Sequence, residues 1–136
     1  MNPRDLQILH DCILRDLRYD VGSPDARTLS LVLECPPDLG KAEWDGKTLL
    51  VRASDVVLFR LTAWGHCWGN DSLDAWDPGV SDATRAEISR LPAPLPPVLC
   101  TARFQSGSWF ELACQALTVH VLEGTPSIPA PLQGTS

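Results

Sequence analysis

The sequence predicts a single, mainly β domain, α+β by count: a curved sheet or β-sandwich of about seven short strands with one or two short helices. Three observations predict it. "RTLSLVLEC" (27–35) alternates with a period of two, placing Leu29, Leu31, Leu33 and Cys35 on one face. "VLCTARF" (98–104), "QSGS" and "WFELAC" (109–114) form a hairpin pattern. Only "SDATRAEISRL" (81–91) carries both a helix start and a helix stop, an N-cap serine and a proline just past its end.

Taken in order, the N-terminus fits two periods. Leu6, Leu9, Ile13, Leu14 and Leu17 make a helical stripe, while Leu17, Tyr19 and Val21 alternate with Arg18 and Asp20. A short helix or turn to about His10, followed by a strand, satisfies both. Turn residues in "SPDA" and "PPDLG" bound the strand 27–35. "TLLVRA" (48–53) and "VVLFRLTAW" (56–64), separated by Ser54-Asp55, are two paired strands or one bent strand. Segment 65–97 reads as a long loop with one short helix inserted in the domain, and "PAPLPP" (92–97) as a stiff connector that cannot pair.

Beyond the hairpin, Phe110, Leu112, Cys114 and Ala116 hold one phase and Leu117, Val119 and Val121 the other. A bulge or strand break near Ala116-Leu117 would return both sets to one core. The domain spans 1–123, and 124–136, rich in Pro, Gly, Ser and Thr, reads as a flexible tail.

At 136 residues the chain buries enough surface to fold without a metal or disulfide. Seventeen acids against eleven bases give a net charge of −6, and Lys41 and Lys47 are the only lysines. That field argues against nucleic acid and anionic lipid and favours a basic partner. No apolar run nears the ~20 residues of a membrane helix. "MNPRDLQILHDC" lacks the apolar stretch of a signal peptide, so a cytoplasmic protein is expected. The five scattered cysteines include no C-x-x-C pair and read as reduced, mostly core thiols. No cofactor is expected.

The densest chemistry lies in "TAWGHCWGNDSLDAWD" (62–77). His66 and Cys67 are adjacent, and on extended chain they point to opposite faces. The surrounding aspartates also oppose a thiolate, which argues against a catalytic cysteine. Asp71, Asp74, Asp77 and Asp82 with His66 are hard ligands, but their spacing fits no calcium loop, so no metal is expected. Trp64 continues the strand phase and reads as core. Trp68 and Trp76 either cover the open end of a sandwich or stand at a contact surface with the aspartates. His10-Asp11 has the letters of a metal-dependent phosphohydrolase without its further ligands, and reads instead as a turn-fixing pair at the start of a strand. Arg103 and Glu111 read as a cross-strand pair.

"LHDC" (9–12) running into "ILRDLRYDV", then "RTLSLVLEC", then "ARFQSGSWFELACQALTVHV" occur in an order that resembles small bacterial immunity-protein-like β-domains. Those domains open with His-Asp-Ala, where this chain has Cys12 for alanine. The resemblance covers most of 9–122, fits 65–97 least, and implies partner binding with no catalytic residues.

The function read from the sequence is therefore a non-enzymatic protein-binding module, immunity-like, contacting a basic toxin or enzyme through Trp68, Asp71, Asp74, Trp76 and His66. The alternative is a small-molecule-binding protein or hydrolase with a Trp/His/Asp-lined pocket. Homo-oligomerisation through an open edge strand is a third possibility.

Overall fold

The computed structural model describes residues 2–22, 27–62 and 71–122. The chain begins with a 3-10 helix, Pro3–Leu9, capped by Asn2, whose side chain accepts from the Arg4 amide. The strands are β1 (Ile13–Asp20), β2 (Thr28–Glu34), β3 (Thr48–Leu61), β4 (Leu73–Pro78), β5 (Val98–Phe104) and β6 (Trp109–Leu122), with helix α1 (Asp82–Ser89) between β4 and β5. They form one antiparallel six-stranded sheet in the order β1-β2-β3-β6-β5-β4.

The mainly β class holds, with six strands among the described residues where about seven were expected, and of the two arrangements open for "TLLVRA" and the run after it the single bent strand is the one found. "TLLVRA" and "VVLFRL" are one strand, β3, bent at Asp55, which has a φ of 51°. That left-handed backbone is tolerated by aspartate more readily than by a branched residue. The stretch 73–78, expected within a loop, is strand β4. Its alternation is hidden because a bulge near Asp74 lets Leu73 and Trp76, three residues apart, both face the core.

The phase slip foreseen in β6 is real and is matched in β3. Ala53 pairs with Leu117 and Val56 with Cys114, and all four are buried in the same core. Between them Ser54 opposes Ala116, and both strands place two consecutive residues outward at the same level. A slip in one strand alone would have sent half its side chains to the wrong face. Made together, the two slips keep the pairs from Ala53–Leu117 to Val56–Cys114 in register, and a bulge at Val57 just beyond them returns Phe59 to the same interior.

The sheet curls until its edges touch. Ile13 and Ser72 form an isolated bridge, and three backbone hydrogen bonds close the seam: Asp11 N to Leu73 O at 2.7 Å, Leu73 N to Cys12 O at 2.8 Å and Leu14 N to Asp71 O at 2.7 Å. Asp11 makes this turn with a φ of 72°, and its carboxylate lies 3.2 Å from His10 Nδ1. The pair His10-Asp11 therefore sits at a turn into β1, as its letters suggested once the hydrolase reading was set aside.

Aromatic rings cross the enclosed core. Tyr19 of β1 meets Phe59 of β3 at 5.1 Å, Phe59 meets Phe110 of β6 at 5.4 Å, and Phe110 meets Trp76 of β4 edge-on at 5.9 Å. Phe110 also lies 6.2 Å from Phe104, so three rings, those of Phe59, Trp76 and Phe104, converge on it. Phe110→Ala removes that hub and is expected to cost about 3–5 kcal/mol of stability in urea titrations. Truncating the exposed Val121 at the far end of the same strand should change the midpoint little.

Candidate functional site

On the outer side of β4, β5 and β6 the same period that buries Trp76, Ala102 and Phe110 turns Asp77, Thr101, Arg103, Trp109 and Glu111 outward. The turn Pro78–Ser81 rises over these side chains. Between turn and sheet lies a groove of about 460 Å³, lined by Asp77, Gly79, Val80, Ser81, Thr101, Arg103, Trp109 and Glu111. Gly79 has a φ of 92°, a backbone shape that suits glycine, and its carbonyl accepts from the Thr101 hydroxyl at 2.9 Å.

One wall of the groove is fixed by Glu111, which is 1% exposed. Its carboxylate accepts from the Ser81 amide at 2.6 Å and from the Thr84 hydroxyl at 2.6 Å, so it holds down the first turn of α1. Arg60, opposite Glu111 on β3, donates to Thr84 Oγ1 at 2.9 Å and pairs with Glu87 of α1. Burial pushes the Glu111 carboxyl up. The hydrogen bonds from Thr84 and Ser81, with the Arg60 charge nearby, outweigh it and hold the group below its ordinary value. Glu111 and Arg103 are thus not partners: Glu111 opposes Thr101 and Arg103 opposes Trp109.

Arg103 is the exposed cation of the site. Its ion pair with Asp77 is loose at 3.7 Å with both side chains largely in solvent. Such a pair is worth little by itself, so either group is free to take a new partner. The Trp109 ring stands half-buried beside it. An aromatic face, a guanidinium and a carboxylate in one concave setting can bind a polar ligand or a partner's side chain. Glu111, fully engaged, is not available as a proton donor or acceptor.

Of the residues expected to make contacts, Asp74 is exposed on the β4 bulge. Asp71 and Trp76 are not surface groups. Asp71 is 4% exposed, and its carboxylate accepts from the Ser106 amide at 3.2 Å and from the Ser106 hydroxyl, tying the β5–β6 turn to the seam. Trp76 is 1% exposed and packs on Phe110. Its burial follows from the alternation of β4, which gives it the core-lid role that the sequence left open beside the contact role. Trp64, His66, Cys67 and Trp68 lie outside the described residues, as does the tail 124–136.

Among the described residues no three His, Cys, Asp or Glu side chains converge as metal ligands. Burial pushes the Cys100 and Cys114 thiols up to about 12, so both are core groups with little thiolate character. Trp109 was missed as a site residue although its signal was present: it occupies the phase opposite Phe110, Leu112 and Cys114. The groove itself had no such signal, because it depends on how the Pro78–Ser81 turn folds back. No described helix is long and apolar enough to cross a membrane. The chain matches no family model, and no curated protein or solved structure shows significant similarity to it.

Two substitutions test these assignments. Glu111→Ala strands the Ser81 amide and Thr84 hydroxyl and is expected to cost about 2–3 kcal/mol at neutral pH. Because the folded carboxyl titrates below its ordinary 4.5, its contribution is fully present above that value and is lost as the pH falls through the lower, folded one. Glu111→Gln should therefore flatten the acid limb of the stability curve in urea titrations. Asp71→Ala, by removing a buried carboxylate bonded to Ser106, should also cost about 2–3 kcal/mol, whereas Asp74→Ala should stay within about 0.5 kcal/mol.

Proposed function

We propose that this protein is a non-enzymatic protein-binding module, immunity-like in character, that engages a basic partner at the outer face of β4, β5 and β6. The observation that carries the reading is the groove itself. It holds a half-buried Trp109 beside an Arg103–Asp77 pair loose enough to be exchanged for contacts with another molecule. Tryptophan and arginine are the residue types that most often dominate binding energy, and a concave seat lets them be desolvated.

Charge supports a basic partner. The chain carries −6 overall, and Asp74, Asp77, Asp82 and Glu87 are set on β4 and α1 around this side of the sheet. Such a field steers a cationic surface into register and raises its rate of encounter. Arg103 supplies the exception, a single donor for one acidic or carbonyl group of the partner. The order of the chain's segments, similar to that of immunity-protein-like domains, is consistent with the same reading, and a toxin whose own active surface is basic is the partner it suggests.

The groove volume of about 460 Å³ also favours a second reading, a small-molecule site, because ligand pockets commonly span roughly 300–1,000 Å³.

Capture from host lysate on the immobilised full chain separates the two. Under the binding-module reading a basic protein is retained at low salt and released by higher salt. Trp109→Ala should weaken that retention by about 30-fold, the loss of a strong hot spot. Equal retention by the variant and the unmodified chain would dismiss this face as the interface. Under the small-molecule reading, metabolite addition shifts the melting temperature and tryptophan emission of the free protein, and Trp109→Ala abolishes the shift.

A further inference from the structure

Cys12 and Cys35 are 23 residues apart in sequence, yet their sulfurs stand 3.3 Å from each other, with Cys12 donating. Cys12 is fully buried between the 3-10 helix and β1, and Cys35 is 6% exposed just past the end of β2. Neither lies inside a strand, so each backbone can shift by the small amount needed to bring the sulfurs to the bonded length of about 2.05 Å. The contrast is with Cys100 and Cys114. The β5–β6 ladder pairs Cys100 with Leu112 and Cys114 with Val98, which fixes both backbones inside regular strands.

We propose that Cys12 and Cys35 form a site of reversible disulfide modification, in which a low-molecular-weight disulfide such as glutathione disulfide oxidises the pair and ties the start of β1, beside the seam, to the end of β2. The two residues have distinct tasks. The Cys12 S–H donates to the Cys35 sulfur, and this hydrogen bond pulls the Cys35 thiol down while burial pushes it up. Cys12, as donor and the more deeply buried of the two, is pushed up. Cys35 is therefore the attacking thiol and Cys12 the resolving one.

Cys35, as thiolate, attacks one sulfur of glutathione disulfide. The oxidant's S–S bond breaks, a mixed disulfide forms at Cys35 and the first glutathione leaves as thiolate. Cys12 then gives up its proton and attacks Cys35 Sγ, expelling the second glutathione. In sum two protein S–H bonds and the oxidant's S–S bond are lost. One protein S–S bond and two glutathione S–H bonds are gained, and two electrons pass from the protein to glutathione.

The location gives the modification a consequence. The Cys12 carbonyl accepts the Leu73 amide in the seam, and the Cys35 amide donates to Lys47 O at the base of the β2–β3 loop. A bond between the two sulfurs ties Cys12, which accepts from Leu73, to the base of that loop, so that neither residue can shift alone. Reduction releases them.

The test uses the full chain, equilibrated with glutathione disulfide and mapped under non-reducing conditions. A Cys12–Cys35 peptide should appear, free thiols should fall by two, and dithiothreitol should reverse both. Closing a loop of this length should raise the melting temperature by roughly 5–10 °C. Amide exchange at Leu14 and Leu73 should slow. Cys12→Ser should accumulate the glutathione adduct at Cys35, while Cys35→Ser should leave Cys12 unmodified. A map that shows no Cys12–Cys35 link, or that shows either residue joined to Cys67, overturns the proposal, and it does so on the unmodified chain even if a variant fails to fold.

Discussion

Everything in this fold depends on the pairing of β3 with β6 and on the level at which both strands slip phase together. The two strands are the central pair of the six-stranded order and join the β1–β2 side to the β5–β4 side. If Asp55 stayed in ordinary extended backbone while β6 slipped alone, Val56 would face water beside a buried Cys114; the bulge at Val57 then returns Phe59, three residues on, to the interior that Val56 has joined. The joint slip costs one left-handed aspartate and two outward pairs. It retains a continuous apolar lining from Leu49 to Phe110, many times larger in free energy than the strain of one unusual φ.

The same pairing sets the outer face. Once Phe59 and Phe110 are committed to the interior, Arg60 and Glu111 must face outward opposite each other. Helix α1 is short, and a short helix is not stable on propensity alone. It is held because Thr84 and Ser81 give Glu111 the hydrogen bonds that a buried carboxylate requires, and because Arg60 reaches both Thr84 and Glu87. Docking α1 at this spot places the Pro78–Ser81 turn over the sheet. The groove beside Trp109 follows from this attachment, which joins the polar contacts of Glu111 and Arg60 to the burial of Ile88 on the helix's inner face.

The sequence was most readable where one strand face meets one core. β2, β5 and the start of β6 show undisturbed alternation, and α1 shows its Ser81 cap, so these elements could be placed closely. Legibility failed where a bulge intervened. In β4, Asp74 interrupts the period, and Leu73 and Trp76 look like loop residues although both are buried. Asp71 misled for a different reason. An aspartate in a Gly- and Asp-rich stretch reads as exposed, and its burial depends on Ser106, 35 residues away, offering an amide and a hydroxyl. Contacts of that range leave no periodic mark in the chain. The Cys12–Cys35 approach is of the same kind, since neither residue has a spacing that announces the other.

Asp71 also links the parts that otherwise look separate. Residues 63–70 are flanked by two fixed points: the Thr62 amide donates to Trp109 O at 2.9 Å, and Asp71 is bonded to both β1 and the β5–β6 turn. Trp109 is at once the residue that anchors one flank and the aromatic wall of the groove. The Asp71 carbonyl accepts from Leu14, two residues beyond Cys12, so the other flank is anchored at the seam. The seam and the groove are joined by a short path of backbone contacts, from Ser72 O to the Gln105 amide and along the hairpin to Trp109. Each contact on that path is made by a strand end or a tight turn, so the sheet edges, the β5–β6 turn and the groove wall are contiguous through the backbone itself.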